Sequence, residues 1–317
     1  MRAEWTEALP LRGARVLVTG AGGFLGQHVM EALRGVGAVP IATTRADTDL
    51  RDPGAVRALF ARARPELVVH AAAVGGGIGW MKDHPATALA GNVLVNTNVL
   101  QVAQEAGVRR LLGVSSACAY AKEATQPMSE GDLYEGEPEP TNGPYGHAKR
   151  LMMRHGAALA EEFGFDSVYV VPTNLYGPGE SFDPVRSHVI GALIRRFEVA
   201  RREAAPEVVC WGTGRATRDL LFVRDAAHLI LRALSLGGGP EPVNLGSGVE
   251  RSIAELAEAV AAACGYTGRL GWDSSKPDGM PRKQLDPARM CARLGRVELT
   301  PLSEGLAETV ACFRSCC

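Results

Sequence analysis

The amino-acid sequence predicts an α/β protein, a doubly wound parallel sheet followed by a smaller C-terminal α/β lobe. Three observations predict it. Short, continuous apolar runs alternate with segments of helical period over the first half of the chain, as strands buried on both faces require. A glycine-rich turn joins the first run to the first helix. After Asn174 the texture changes to polar loops, glycine turns and shorter elements.

In chain order, Arg15-Val-Leu-Val-Thr19 is the first strand, and Phe24 to Arg34 follows with helical spacing. Val39-Pro-Ile-Ala-Thr43, a helix from Pro53 to Ala63, and Leu67-Val-Val-His70 continue the alternation. A long helical pattern covers Pro85 to Ala106, Arg110 to Ser115 is another buried strand, and a helix from Tyr145 to Phe163 leads into Ser167-Val-Tyr-Val-Val171. Beyond it, Pro178 to Pro184 is a loop, 187–203 a helix and Glu207 to Trp211 a strand. Gly212 to Asp219 is polar and glycine-bearing, and Gly237-Gly-Gly-Pro240 marks a surface turn. Ser252 and Glu255 form a capping box for a helix running to Cys264.

A chain of 317 residues holds one large domain or two moderate ones. Its net charge of −1, with no basic block, gives no support to nucleic-acid or membrane-surface binding. No apolar stretch approaches the ~20 residues of a membrane span. The opening MRAEWTEALPLRG carries acids and no apolar core, unlike a secretory signal. Seven cysteines without metal-ligand spacing are expected to be reduced thiols in the cytoplasm, with no metal site. The Cys316-Cys317 pair is misplaced for a C-a-a-X box and is expected to be free thiols on a frayed tail.

Thr19-Gly-Ala-Gly-Gly-Phe-Leu-Gly26 closes the first strand and opens the first helix, with Gly20, Gly23 and Gly26 spaced G-x-x-G-x-x-G. Such a turn lets backbone approach a pyrophosphate and aims a helix N-terminus at it, as in a Rossmann-type dinucleotide site. The adenosine ribose of such a cofactor is read at the end of the second strand. Here Thr43-Thr44-Arg45 ends in a guanidinium, with Asp47 two residues beyond. An arginine at that place suits a 2′-phosphate, so NADP(H) is the expected cofactor.

Tyr145-Gly-His-Ala-Lys149 follows Pro144, and its i to i+4 spacing puts phenol and ammonium on one helix face. A nearby cation stabilises phenolate, so Lys149 is expected to lower the Tyr145 pKa and suit it to proton transfer. Ser116 stands at the C-terminal end of a strand, where open α/β sheets bind ligands. Two residues on, Cys118 is either a packed core residue or a group placed to move a proton.

In the Gly20/Gly23/Gly26 loop, Ala71-Ala-Ala73, Asn92, Ser116 and the Tyr145/Lys149 pair, the sequence resembles the extended short-chain dehydrogenase/reductase family. The stretches AAAVGGGIG, PTNLYGPGESFDPVRSHVIGALIRRF and SKPDGMPRK are similar to the branch that epimerises and reduces GDP-4-keto-6-deoxymannose to GDP-L-fucose. The likeness runs over nearly the whole chain after residue 14.

The resemblance implies that Ser116 and Tyr145 hold the C4 carbonyl oxygen, with Tyr145 giving it a proton as NADPH delivers hydride. Lys149 would bond the nicotinamide ribose, and Cys118 and His188 would be the epimerisation pair. A 4-ketone acidifies the hydrogens on C3 and C5, so a thiolate on one face and an imidazole opposite would invert each centre. Cofactor contacts are implied at Gly20, Gly23, Phe24, Leu25, Gly26, Arg45, Asp49, Leu50, Ala71, Ala72, Asn92, Val114, Lys149, Pro172, Asn174, Leu175 and His188. Substrate contacts are implied at Asn174, Arg196, Trp211, Arg218, Asp278 and Lys283, since guanidinium forks and an ammonium suit a diphosphate and an indole stacks on a base. A homodimer, pairing Pro85–Ala106 and Tyr145–Phe163 across a two-fold, is implied too.

The family's bacterial members often carry an arginine in the glycine loop. Gly22 and Gly23 stand here, leaving Arg45 to carry the NADP expectation. The expected domains are an NADP-binding domain over 1–175, with a returning segment near 219–247, and a nucleotide-sugar-binding lobe over 176–317. The competing readings are a related nucleotide-sugar enzyme with only one of the two activities, a non-catalytic NADP-sensing or scaffold protein, and a nucleic-acid-binding domain. Cys118 with His188 favours two activities, Tyr145 with Lys149 disfavours a scaffold, and the charge disfavours nucleic acid.

Overall fold

The structure, a computed structural model, describes residues 8–183, 187–276 and 278–316. Most of the amino-terminal stretch considered above, and Cys317, lie outside the described residues. Six parallel strands form the main sheet: β1 (Arg15–Thr19), β2 (Val39–Thr43), β3 (Leu67–His70), β4 (Arg110–Val114), β5 (Ser167–Pro172) and β9 (Val243–Leu245), in the order β2-β1-β3-β4-β5-β9. β2 and β3 flank β1 on opposite sides, so the winding reverses there. The crevice at the carboxyl ends of β1 and β3 is the place where such sheets bind ligands. Thr19 and His70, the last residues of those strands, are register partners.

Helices cover both faces, which is why β3, β4 and β5 are buried along their whole length. On one face α1 (Phe24–Gly35) and α7 (Val223–Leu236) pack through Val29, Leu33, Ile230 and Leu234. On the other, α2 (Pro53–Ala63), α4 (Pro85–Glu105) and α5 (Gly143–Phe163) share a core that includes Leu59, Val99 and Met152. Asp52 caps α2 by accepting from the Gly54 N–H at 2.8 Å, and Pro53 occupies its first turn.

The remaining elements gather around β8 (Thr217–Phe222), which pairs with β6 (Asn174–Tyr176), β10 (Glu250–Ser252) and β12 (Arg282–Lys283). β7 (Glu207–Trp211) pairs with β11 (Arg269–Asp273). Phe197 of α6 (Val189–Arg202), Leu256 of α8 (Ile253–Cys264) and Val310 of α10 (Leu302–Cys316) close a third core. Ser252 caps α8 as the sequence indicates, its hydroxyl accepting from the Glu255 N–H at 3.1 Å. α9 (Ala288–Leu294) instead packs Met290 and Leu294 into the α1/α7 layer.

The polar, glycine-bearing stretch from Gly212 to Asp219 ends as strand: Thr217 and Arg218 pair with both β12 and β10, and Asp219 with β10. One sequence expectation changes, since Cys316 ends a continuous helix rather than lying on a frayed tail. The six described cysteines are unpaired. No described helix is long and apolar enough to cross a membrane.

Candidate active site

A cavity of about 560 Å³ opens beside the glycine loop, between Gly20, Gly22 and Gly23, the 44–51 segment and Ala71 to Val74. Gly20 has φ +71° and lies so close to the loop after β3 that a Cβ would stand 2.9 Å from the Ala72 Cα. A side chain at Gly26 would strike the Gly20 carbonyl oxygen, so α1 begins hard against the turn. Among the described residues this recess fits a dinucleotide, with backbone free to approach a pyrophosphate.

At its outer end, Arg45 is exposed and lines the cavity. The acid nearest the end of β2 is already engaged. Asp47 Oδ2 accepts from the Thr44 N–H at 2.9 Å and its hydroxyl at 2.6 Å, bonds that hold the carboxyl below its ordinary pKa. Asp49, also on the cavity wall, forks with Arg51 through Nε at 2.9 Å and Nη2 at 2.7 Å, and this holds its carboxyl down at about 2. Sequence reasoning passed over Arg51; the signal was the Asp-Leu-Arg spacing two residues apart.

The other cofactor candidates divide by position. Leu50, Ala71 and Ala72 line the cavity. Phe24 and Leu25 are half-buried in the first turn of α1. Asn92 is wholly buried, its amide bonded to Val74 N at 3.0 Å, Val74 O at 2.7 Å and Ala88 O at 2.6 Å. It clamps the loop that forms the wall. Pro172 ends β5, while Asn174 and Leu175 lie on β6, where the Asn174 amide donates to Asp219 O at 3.1 Å.

Beneath this wall runs a polar chain that the sequence did not announce. Thr19 Oγ1 meets His70 Nδ1 at 2.7 Å, His70 Nε2 meets Asn96 Oδ1 at 3.0 Å, and the Asn96 amide donates to Ala148 O at 3.3 Å. Burial, then the Lys149 charge, pushes His70 down to about 3. The neutral ring donates from Nε2 to Asn96 and accepts at Nδ1, tying β1 and β3 to α4 and α5.

Ser116 caps the single turn Ala117–Ala119, its Oγ accepting from the Cys118 N–H at 3.1 Å. Within that turn Ala117 and Ala119 are buried, whereas Ser116 and Cys118 are partly exposed. Cys118 is therefore on the open side, not in the core. A side chain on Gly146 would strike the Cys118 carbonyl oxygen, so its absence lets α5 ride on this turn and brings Tyr145 beside it.

Burial, and next the Cys118 charge, hold the Tyr145 phenol well above its ordinary pKa. This reverses the sequence expectation. The Lys149 ammonium donates to Val114 O at 2.8 Å and lies 5.6 Å from the Tyr145 ring centre, while its own pKa falls to about 8 through burial. A phenol that keeps its proton at neutral pH is the form that donates to a carbonyl oxygen.

His188 precedes α6 and is exposed to solvent, yet loss of hydration and then the Lys283 charge lower its pKa. Lys283 itself reaches the Cys118 sulfur, Nζ to Sγ 3.7 Å. Its register partner across β12 and β8 is Arg218, whose Nη1 donates to Met280 O at 2.8 Å. Trp211, at 65% exposure, stands with Lys276 over its ring, and Arg196 donates to Val209 O of the same strand at 2.9 Å. Asp278 accepts from the Thr213 N–H at 2.6 Å and hydroxyl at 2.7 Å, pinning the segment ahead of β12.

Glu180 lies in the loop that leads to His188, 5% exposed, with Oε1 accepting from the Gly191 N–H at 3.3 Å and Oε2 unpartnered. Burial raises its pKa to about 8. A raised carboxyl pKa stabilises the fold fully below the ordinary value near 4.5, and that contribution is lost as pH rises toward 8. Glu180→Gln is thus expected to gain stability over the parent as pH rises from 5 to 8, on the order of 4 kcal/mol at the upper end. Denaturant midpoints across that range check it; a constant difference would refute the buried carboxyl as the cause.

Comparison with known proteins places this crevice in context. Residues 16–246 match the NAD dependent epimerase/dehydratase family. Probable GDP-L-fucose synthase 1 of Oryza sativa subsp. japonica is 43% identical over 94% of this chain and 91% of its own length. GDP-L-fucose synthase of Escherichia coli (strain K12) is 39% identical over 94% of this chain and 96% of its own. A solved structure, the GDP-L-fucose synthetase of Naegleria fowleri bound to NADP, is 27% identical, has a TM-score of 0.89, and shares 98% coverage in both directions. With a parallel sheet of this order, a glycine turn at its first crossover and this extent of likeness, the chain belongs to the NAD dependent epimerase/dehydratase family, among the extended short-chain dehydrogenases/reductases.

Proposed function

We propose that the protein is an NADPH-dependent epimerase-reductase that converts GDP-4-keto-6-deoxymannose to GDP-L-fucose. The observation that carries this is the shared turn: Ser116 and Cys118 are both partly exposed at Ala117–Ala119, and the Tyr145 phenol is near enough for the Cys118 charge to act on it. This supports one sugar meeting the groups for reduction and for epimerisation together. The likeness to GDP-L-fucose synthases at 43% and 39% identity supports the GDP-linked substrate.

NADPH, when bound in the cavity beside Gly20 and Gly23, supplies the hydride for C4. Ser116 and the protonated Tyr145 hold the C4 oxygen, and Tyr145 gives it a proton while the Lys149 charge favours the resulting phenolate. Cys118 removes the proton at C3 and C5, which the 4-ketone acidifies, and His188 serves the opposite face. Arg196, Arg218 and Trp211 hold the GDP portion, and Asp278 and Asn174 shape the walls between.

Among the residues lining the cavity, Arg45 offers a 2′-phosphate its guanidinium, while Arg51 forks with Asp49 and Asp47 is engaged with Thr44. Arg45→Ala is therefore expected to weaken NADPH binding about tenfold or more and to leave NADH binding within about twofold. Fluorescence titration with both cofactors checks this; equal losses for the two would remove Arg45 from 2′-phosphate recognition.

Exposed Leu89 and Leu94 on α4 and Leu151 on α5 support a homodimer through these helices. The six cysteines among the described residues, none of them in a disulfide, support a reducing compartment, the cytoplasm. The direct test mixes the protein with NADPH and a panel of GDP-, UDP- and dTDP-linked 4-keto-6-deoxyhexoses. NADPH oxidation with the GDP sugar, and NMR of a product inverted at C3 and C5, are expected. Reduction without inversion would leave only a 4-ketoreductase.

A further inference from the structure

The Lys283 side chain crosses from β12 to the Cys118 sulfur, 165 residues away in the chain, and ends 3.7 Å from it. Its backbone is held on both sides. Lys283 pairs with Arg218 of β8, and Gln284 N–H donates to the Gln126 side chain at 2.9 Å. Met128 N–H donates to Gln284 O at 2.9 Å, and Arg282 forks onto Glu250 at 2.7 and 2.9 Å. A lysine anchored like this is placed, not draped.

We propose that Lys283 is a positioning residue for epimerisation, whose ammonium holds Cys118 toward the sugar as the thiolate that takes the proton. The inference rests on Cys118 being the epimerisation base. In that step the proton on C3 or C5 passes to sulfur and the bonding pair moves to the C4 oxygen, giving an enol or enolate beside Tyr145. The other charged or titratable groups around the sulfur are the Tyr145 phenol from α5, and Tyr120, Lys122 and Glu139 in the adjoining recess, with the Tyr120 hydroxyl donating to Asn244 Oδ1 at 2.7 Å. Glu139 is engaged with the Thr141 N–H at 2.9 Å.

The test is the pH dependence of Cys118 alkylation by iodoacetamide, followed by peptide mass spectrometry in the full-length protein without substrate, with Cys316 as internal reference. Lys283→Met is expected to change the Cys118 alkylation profile and to slow alkylation at pH 7 about 10-fold or more against the Cys316 reference. Lys283→Arg, which keeps the charge, is expected to restore most of the rate. Lys122→Met is expected to move the profile far less. An unchanged profile in Lys283→Met, with GDP binding weakened, would assign Lys283 to the diphosphate and overturn the proposal. An equal shift in Lys122→Met would also overturn it, as a general field effect. Because no substrate is present, these outcomes are separate from the epimerase reading, which fails instead if the parent enzyme exchanges no C3 or C5 hydrogen with deuterated solvent.

Discussion

Tyr145→Phe is expected to lower NADPH oxidation about a thousandfold while NADPH binding stays within about twofold. The substitution removes one hydroxyl and leaves the ring that packs against the Cys118 turn. In the proposed reaction that hydroxyl would be the proton source for the C4 oxygen, and its raised pKa would keep it loaded across the neutral range. The magnitude follows from losing a positioned acid, which is generally worth 10²–10⁴. Lys149 sets the alkaline limit. It is a cation below about 8 and neutral above, so kcat of the parent should fall as pH rises through about 8, when phenolate loses its partner. Stopped-flow NADPH absorbance checks the rate and isothermal titration checks the binding. Turnover near that of the parent would take Tyr145 out of the reaction.

The residues proposed for reduction were legible as candidates in the sequence because each is local. Tyr145 and Lys149 lie one helical turn apart, and Ser116 follows a buried strand at its carboxyl end. The sign of the Tyr145 shift was not legible. Spacing shows that a cation is near, whereas the desolvation that wins depends on α5 settling onto the Cys118 turn at Gly146. Arg51 was hidden for a different reason, since only the fold shows that it forks with Asp49 on the wall of the dinucleotide cavity. The His70 chain joins four elements through side chains that read as ordinary core and helix positions.

The same contrast runs through the fold. The strands of the main sheet before Asn174, and the helices α2, α4 and α5, were readable because burial on both faces or a long apolar stripe repeats over many residues. β6, β9, β10 and β12 have three residues or fewer, too short for any period. They exist through pairing, as when Asn174 to Tyr176 align with Leu220 to Phe222. Lys283 belongs to that class. Its residue type suggested a diphosphate, and only the two-residue strand beside β8 carries it to a sulfur.

Cys118→Ser is expected to cut solvent-hydrogen exchange at C3 and C5 by about 10²–10³-fold and to separate the two activities. Serine keeps the size and the turn, including the N–H that Ser116 accepts, but its hydroxyl gives up a proton far less readily than a thiol. With substrate in deuterated buffer and no cofactor, the parent enzyme should place deuterium at both carbons. Cys118→Ser should place little at either. With NADPH added, Ser116, Tyr145 and Lys149 remain, so the variant should reduce the sugar without inverting it, and NMR should show a product that keeps its original configuration at C3 and C5. His188→Asn is the companion measurement. Deprotonation by Cys118 would still occur, while delivery to the opposite face fails, so exchange should outlast inversion. If Cys118→Ser exchanges and inverts at the parental rate, the thiol is a partly exposed packing residue and the base lies elsewhere.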